Sequence, residues 1–167
     1  MSENMAGHDA ARLKNARLLA DIGGTNARFA WQDGACGPLQ DIRTLACAEH
    51  ATLEDAIQAY LGAVGRGVPS RCAMGVATPV NGDLIRMTNH HWQFSRQAVQ
   101  TRFGFDELAV INDFTALALA IPLLQADELH VLRPGPTEAQ PDKAIGLLGA
   151  GTGLGMGGLL PYQGPEG

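Results

Sequence analysis

The chain has 167 residues and a net charge of −5, which disfavours nucleic-acid binding because proteins of that class normally carry a basic patch. Its content of 46% hydrophobic and 17% charged residues indicates a globular core, and its longest apolar run, 114–124, is too short to span a membrane. The cysteines, Cys36, Cys47 and Cys72, are odd in number and widely spaced, which is typical of a reduced, cytoplasmic protein.

Short apolar runs bounded by turn residues predict the strands of the chain. In order they lie at 17–22, 27–32, 39–46, 72–77, 84–88, 108–111, 144–148 and 156–162. Helices are predicted to begin at Thr52, to run from Ser95 to Gly104, and to run from Thr115 to about Pro122. Three strands before the first helix predict antiparallel pairing, and the later alternation of strands and helices predicts parallel pairing.

The same pattern divides the chain into lobes. A polar stretch, 1–16, is interpreted as a disordered N-terminal extension and is followed by a first lobe at 17–122. The segment 123–143 contains three prolines near its end and is interpreted as a linker. At 144–167 the chain repeats the strand–turn–strand opening of the first lobe and then stops, so we expect a truncated second lobe.

Two glycine-rich turns stand out, Asp-Ile-Gly-Gly-Thr-Asn at 21–26 and Gly-Ala-Gly-Thr-Gly-Leu-Gly at 149–155. Neither is a Walker A sequence, because no Gly-Lys-Ser/Thr follows. The stretch 153–158 formally fits Gly-x-Gly-x-x-Gly, but a strand-like segment rather than a helix follows it, which disfavours dinucleotide binding. A glycine turn can still bind phosphate through successive backbone N–H groups, and Thr25 or Thr152 can add a hydroxyl donor.

Asp21 opens the first of these turns. A carboxylate beside a bound phosphate is electrostatically unfavourable unless a cation such as Mg²⁺ lies between them, so Asp21 is a candidate for Mg²⁺ binding. The alternative, that glycines merely turn the chain, stays open for either turn alone. Two similar turns that each head a strand pair favour phosphate binding.

An apolar run, Val-Ile-Asn-Asp-Phe-Thr-Ala at 110–116, ends abruptly in Asn112 and Asp113. A buried strand that ends this way delivers an amide and a carboxylate to the edge of a cleft. There the carboxylate can accept a proton from a hydroxyl, while the amide holds that hydroxyl in line. Together with two phosphate-type turns, this pair predicts a kinase that acts on an alcohol.

Four motifs in order resemble those of bacterial glucokinases, members of the hexokinase and actin-like ATPase superfamily. They lie at 19–28, 87–95, 110–116 and 149–155, and the similarity runs from about Leu18 to Leu160. The resemblance implies an α/β fold: a ribonuclease H-like (actin-like ATPase) small lobe with a mixed sheet, followed by the opening strands of a truncated second lobe.

The resemblance also implies an activity, ATP-dependent transfer of the γ-phosphoryl group to the 6-hydroxyl of glucose in glycolysis. Asp113 would be the catalytic base, and Asn112 would bind neighbouring sugar hydroxyls together with Asp113. Asp21 would position Mg²⁺ through water. The residues implied to contact ATP are Ala20, Asp21, Ile22, Gly23, Gly24 and Thr25 in the first turn and Gly151, Thr152 and Gly153 in the second.

Within the motif at 87–95, Asn89 is a candidate for sugar binding, and turn capping is an equal alternative. Trp92 and Phe94 are interpreted as core or loop anchors rather than a sugar-stacking platform. His90 and His91 are adjacent and have no second cluster near them in sequence, so a metal site is not predicted there.

The sequence also leaves functions other than a complete glucose kinase open. The family continues with a sugar-binding Glu-Gly-Gly-His segment and an adenosine-binding segment, which this sequence does not contain, so we expect the isolated 167 residues not to turn over glucose. The main alternative is a non-catalytic nucleotide- or sugar-binding domain. Another sugar kinase of the same superfamily is a further alternative. A sugar-sensing regulator is less favoured, because a regulator needs a helix-turn-helix that 16 residues before the first strand cannot hold. Homodimerisation of the complete protein stays open.

Overall fold

The structure of the chain, a computed structural model, describes residues 13–133, 135, 143–150 and 154–162. The chain divides into two compact units, Met1–Asp113 and Phe114–Gly167. Within the described ranges, no helix has both the length and the apolar character needed to cross a membrane. Most of the predicted extension and much of the predicted linker lie outside the described residues.

A mixed five-stranded sheet forms the first unit. The elements of this unit are strands β1 (Ala16–Ile22), β2 (Asn26–Asp33) and β3 (Leu39–Ala46), helix α1 (Leu53–Val64), strands β4 (Arg71–Val76), β5 (Leu84–Arg86) and β6 (Gln93–Ser95), helix α2 (Arg96–Phe103) and strand β7 (Glu107–Asn112). The sheet order is β3-β2-β1-β4-β7. β2 pairs antiparallel with β1 and β3, whereas β4 pairs parallel with β1 and β7. The predicted α/β class with mixed pairing is therefore confirmed.

The structure contains one short strand, β6, that the sequence pattern does not predict. The strand predicted at 84–88 ends at Arg86 and pairs antiparallel with β6 as a separate two-stranded sheet. The Met87 N–H then donates to the Trp92 carbonyl at 3.0 Å, just inside the last strand pair. β6 has only three residues, which is too few for an alternating pattern to show in the sequence.

The apolar core joins alternate positions of the sheet to the two helices. Phe29 of β2 stacks on Tyr60 of α1, with ring centroids 5.2 Å apart. Trp92 and Phe94 are buried, which confirms their interpretation as anchors. The largest fully buried side chains include Leu18, Ile22, Phe29, Trp31, Leu53, Ile57, Tyr60, Met74, Val76, Ile85 and Val99. Each buried Val, Leu, Ile, Phe or Met side chain among them stabilises the fold by about 1.5–3 kcal/mol relative to its exposed state.

The termini of α1 confirm the predicted helix start. The Thr52 hydroxyl accepts a hydrogen bond from the Asp55 N–H at 3.1 Å, which satisfies one of the unpaired donors of the first turn. Gly65 ends the helix in the left-handed conformation at φ 68°, where a residue without Cβ is favoured.

Two side chains cap the start of α2. The Ser95 hydroxyl accepts from the Ala98 N–H at 3.0 Å, as predicted. Asp83, in the turn before β5, adds a second cap, because its carboxylate accepts from the Gln97 N–H at 2.9 Å and from the Ser95 hydroxyl at 2.5 Å. The turn at 83 is therefore fixed to the helix, and Gly104 ends the helix at φ 69°.

The second unit contains a glycine-rich hairpin. Its elements are β8 (Ile145–Ala150) and β9 (Leu154–Leu159), and helix α3 (Asp113–Ala120) precedes them across the boundary between the units. Gly149 pairs with Gly155 in the hairpin register, and the Phe114 ring lies over both. A Cβ on Gly149 would be 2.6 Å from Phe114 Cζ, and one on Gly155 would be closer still. These glycines form a flat seat for an aromatic ring, a packing role that is independent of any ligand.

We predict that Gly155→Ala destabilises the hairpin by about 1–3 kcal/mol, because the added methyl displaces the Phe114 ring. Gly146→Ala is the matched control, since a Cβ on Gly146 meets no atom within 4 Å in the same hairpin. Hydrogen exchange of the β8 and β9 amides should accelerate in the first variant and not in the second. Equal exchange rates in the two variants would contradict the packing role.

The cap on α2 predicts a pH dependence of stability. The Ser95 hydroxyl and, next, the Gln97 N–H hold the pKa of Asp83 below its ordinary value of 3.8. A carboxyl whose folded pKa is lowered stabilises the fold above its ordinary pKa, and this contribution is lost as the pH falls through the lower folded value. Urea unfolding between about pH 6 and pH 3 should therefore show a smaller loss of stability on acidification in Asp83→Asn than in the parent chain. An unchanged pH slope in Asp83→Asn would show that this cap does not hold in solution.

Candidate active site

The three parallel strands of the first unit end at one edge of the sheet. Ile22 at the end of β1 pairs with Val76 at the end of β4, and Val76 pairs with Asn112 at the end of β7. Ligands of open α/β sheets bind beyond the carboxyl ends of the strands. The first glycine turn, the segment after β4 and the pair Asn112–Asp113 therefore share the edge at which a ligand is expected.

The side-chain amide nitrogen of Asn112 organises this edge. Its Nδ2 donates to Asp113 Oδ1 at 2.8 Å, and it also lies 3.2 Å from the Thr78 carbonyl oxygen and 3.4 Å from that of Val76. The amide thus links the end of β7 to the end of β4 and holds one carboxylate oxygen of Asp113. The predicted amide and carboxylate thus lie in direct contact at the sheet edge.

Asp113 is half-buried and is the first residue of α3. The unpaired N–H groups at the start of a helix create a partial positive charge that stabilises a carboxylate in the first turn. The fold therefore places a fixed carboxylate at the strand edge, where it can accept a proton from a hydroxyl.

The first glycine turn is closed internally and braced from outside. The Gly23 N–H donates to the Asn26 carbonyl at 2.9 Å, while the Cys47 N–H donates to the Thr25 carbonyl at 2.8 Å. The Cys47 thiol lies 3.6 Å from the Gly23 carbonyl, and burial raises its pKa, so it remains a protonated donor. No acceptor among the described residues takes the N–H of Gly24 or Thr25. Two successive amides in an exposed turn form a site that fits a phosphate group.

The other predicted phosphate contacts of this motif lie within β1. Ile22 is buried and Ala20 is half-buried, and β1 pairs with a strand on each side. Their backbone groups are engaged in the sheet. Gly24 and Thr25 are consequently the part of the motif that can offer N–H groups to a ligand.

Asn89 lies directly against the glycine turn. A Cβ on Gly24 would be 3.0 Å from Asn89 Cβ and 3.4 Å from the Asn89 carbonyl oxygen. Any larger residue at position 24 would therefore push this loop away. The structure thus brings the sugar-binding candidate into contact with the phosphate-binding candidate.

Thr78 is a functional candidate that sequence reasoning missed. It follows β4 at the same edge and is the polar side chain that the described part of the chain buries most completely. Its hydroxyl donates to the Arg86 carbonyl at 2.8 Å and lies 3.0 Å from the Thr88 hydroxyl. A polar residue directly after the apolar run predicted as a strand at 72–77 is the signal that could have identified it.

The segment between β3 and α1 braces both loops of the site. Cys47 holds the glycine turn, and the His50 carbonyl accepts from Trp92 Nε1 at 3.0 Å. His91 Nε2 lies 3.1 Å from the Ala51 carbonyl. The His90 and His91 rings are 4.1 Å apart, and burial, followed by the neighbouring His91 charge, lowers the pKa of His90. These histidines thus stabilise the loop through packing and hydrogen bonding.

Asp21 points away from the core at the end of β1. Its carboxylate lies 3.3 Å from the Arg28 guanidinium, and both side chains are about 60% exposed. Among the described residues, no group of three or more His, Cys, Asp or Glu side chains could hold a metal ion by itself. Asp21 therefore fits Mg²⁺ only as one contact, through water, to an ion that other oxygen ligands hold.

The second phosphate turn cannot be placed. Gly151, Thr152 and Gly153 lie outside the described residues. The flanking Gly149 and Gly155 belong to strands and seat the Phe114 ring. Their glycine content therefore has a structural cause whatever the turn between them binds.

Known proteins share both the sequence and the fold of this chain. A sequence model of the glucokinase family matches residues 18–166. The glucokinase of Chromobacterium violaceum is 48% identical over 148 residues, which cover 89% of this chain and 42% of that protein. The glucokinase of Chromohalobacter salexigens is 50% identical over 146 residues, which cover 87% of this chain and 45% of that protein.

A solved structure agrees with the sequence relatives. The crystal structure of a glucokinase from an Antarctic psychrotroph matches with a TM-score of 0.78 and 34% identity, over 87% of this chain and 46% of that one. This match confirms the predicted actin-like ATPase fold. The chain spans less than half the length of each of these relatives. From the family match over residues 18–166, we conclude that the chain belongs to the glucokinase family.

Proposed function

We propose that the whole protein transfers the γ-phosphoryl group of ATP to the 6-hydroxyl of glucose in the cytoplasm. The observation that carries this proposal is the Asn112–Asp113 pair, which lies at the sheet edge that also bears the first glycine turn. Family membership supports the reaction class, and the geometry supports the role proposed for each residue.

Asp113 acts as the general base of the proposed reaction. As the sugar oxygen bonds to the γ-phosphorus, its proton passes to the Asp113 carboxylate. The bond from the γ-phosphorus to the oxygen bridging the β-phosphate breaks, and ADP leaves. Asn112 holds the carboxylate in place during this step through its 2.8 Å hydrogen bond. Phosphoryl transfer depends mainly on such positioning and on charge neutralisation.

The Gly24 and Thr25 N–H groups bind phosphate oxygens of ATP. Mg²⁺, when bound, neutralises charge that develops on the transferred group. Asp21 would contact that ion through water, in competition with Arg28, whose guanidinium lies 3.3 Å from the same carboxylate. A weak surface ion pair of this kind, worth about 0–1 kcal/mol, can be displaced by a divalent cation.

Asn89 and Asn112 recognise the sugar in this proposal. Asn89 lies against Gly24, so a sugar held by Asn89 is close to the phosphates held by the turn. Proximity of donor and acceptor is what the reaction requires, because a misplacement of about 1 Å can reduce the rate by about 10²-fold.

We predict that Asp113→Asn reduces kcat of the whole protein by about 10²–10⁴-fold and changes the KM for glucose much less, because the amide cannot accept the hydroxyl proton. A coupled assay of ADP release measures both constants. Asp106→Asn is the matched control, since Asp106 is an exposed aspartate next to the other end of β7 and its variant should retain normal kinetics.

Normal turnover by Asp113→Asn would remove this residue from the role of base. If the whole wild-type protein binds glucose and ATP without releasing ADP, the non-catalytic binding domain is the correct interpretation.

A further inference from the structure

We propose that Thr78 is a positioning residue, which fixes the loop carrying Asn89 relative to the Asn112–Asp113 pair. This inference rests on the proposed function, and it extends the site to a residue that contacts neither phosphate nor base. The observation that carries it is that Thr78 contacts both Thr88, next to Asn89, and Asn112.

The Thr78 hydroxyl is buried, and its hydrogen bonds offset the free energy lost by removing it from water. Only 4% of the residue is exposed, and burying a hydroxyl is unfavourable unless it is hydrogen-bonded. The hydroxyl proton is used in the 2.8 Å bond to the Arg86 carbonyl. In the 3.0 Å contact between the two threonine hydroxyls, Thr88 must therefore be the donor. Both bonds of the hydroxyl consequently hold the segment that leads into Asn89.

The backbone carbonyl of Thr78 contacts the other side of the site, at Asn112. Its carbonyl lies 3.2 Å from Asn112 Nδ2, the same atom that donates to Asp113 Oδ1 at 2.8 Å. The Thr78 N–H donates to the Val76 carbonyl at 2.8 Å, which fixes the residue to the end of β4. A continuous chain of hydrogen bonds thus runs from Thr88 through Thr78 and Asn112 to Asp113.

Two further contacts of the loop involve neither Asn112 nor Asp113. The Met87 N–H donates to the Trp92 carbonyl at 3.0 Å, and Asn89 rests on Gly24. These contacts set the shape of the loop and its distance from the phosphate turn. The alignment of Asn89 with Asp113 is set by Thr78, since its hydroxyl and carbonyl contact the two sides.

The expected consequence is specific to the sugar. When the hydroxyl is removed, Asn89 can shift relative to Asp113 while the glycine turn keeps its own bonds to Cys47. In the whole protein, Thr78→Val should lower kcat/KM for glucose by about 10–100-fold, the scale of a misplacement of 1 Å or less. The KM for ATP should stay within about twofold, because the phosphate turn is unchanged. Thr78→Ser keeps the hydroxyl and should restore most of the activity.

The experiment measures kcat and KM for both substrates, corrected for the folded fraction, in the wild-type protein and the two variants. A purely structural role would lower the melting temperature without changing the kinetics of the folded molecules. A folded Thr78→Val protein with wild-type kcat/KM for glucose overturns the proposal, as does an equal loss for glucose and ATP. If Thr78→Val does not fold, Thr88→Val decides the question, because Thr88 is exposed and its variant removes one bond to Thr78. Wild-type kinetics in Thr88→Val would then overturn the proposal.

A spectroscopic measurement distinguishes failure of this inference from failure of the proposed function. The Asn112 side-chain amide resonances should shift in Thr78→Val and return towards the wild-type position in Thr78→Ser. If the wild-type protein does not phosphorylate glucose, the proposed function fails while this resonance still tests the coupling. An Asn112 resonance that does not respond to Thr78→Val shows that the two sides of the site are not coupled.

Discussion

The register of the parallel strands β1, β4 and β7 is the constraint on which the candidate site depends. Ile22, Val76 and Asn112 pair at the same level, so each strand delivers its next residues to one edge. A shift of one residue in a strand would turn its alternating side chains to the opposite face. The apolar positions on the core face prevent such a shift, because it would expose residues such as Met74 and Val110. Core packing thereby determines where the polar groups of the site lie.

Hydrogen bonds at this edge fix the directions of the polar side chains. Apolar packing fixes the strands, but it cannot fix the direction of a carboxylate. Asn112 does so by bonding to Asp113 and to carbonyls of the segment after β4. Thr78 extends the same network to the loop that carries Asn89. A buried polar group left without its partner costs more than the bond itself contributes, so this network resists partial disruption.

Much of this arrangement could be predicted from local patterns in the sequence. The helix starts at Thr52 and Ser95 and the end at Gly104 follow from capping chemistry that acts over a few residues. The Asn112–Asp113 pair is visible because polar residues interrupt an apolar run.

The contacts that could not be predicted join residues far apart in sequence. Thr78 meets Arg86, Cys47 braces Gly23, and Asp83 caps a helix that begins thirteen residues later, at Arg96. Each uses a common residue type with several ordinary roles. Only the tertiary structure shows which role is taken, since a hydroxyl or carboxylate in a turn is equally compatible with exposure to water.

The glycine turns show why similar sequence motifs need separate physical arguments. In the first turn, Gly24 permits the close approach of Asn89, and the N–H groups of Gly24 and Thr25 have no acceptor among the described residues. In the second motif, Gly149 and Gly155 instead make room for the Phe114 ring. Absence of a side chain is thus used for loop contact in one place and for aromatic packing in the other. The proposal that the first turn binds phosphate rests on the geometry of that turn, and the glycines flanking the second turn carry no such implication.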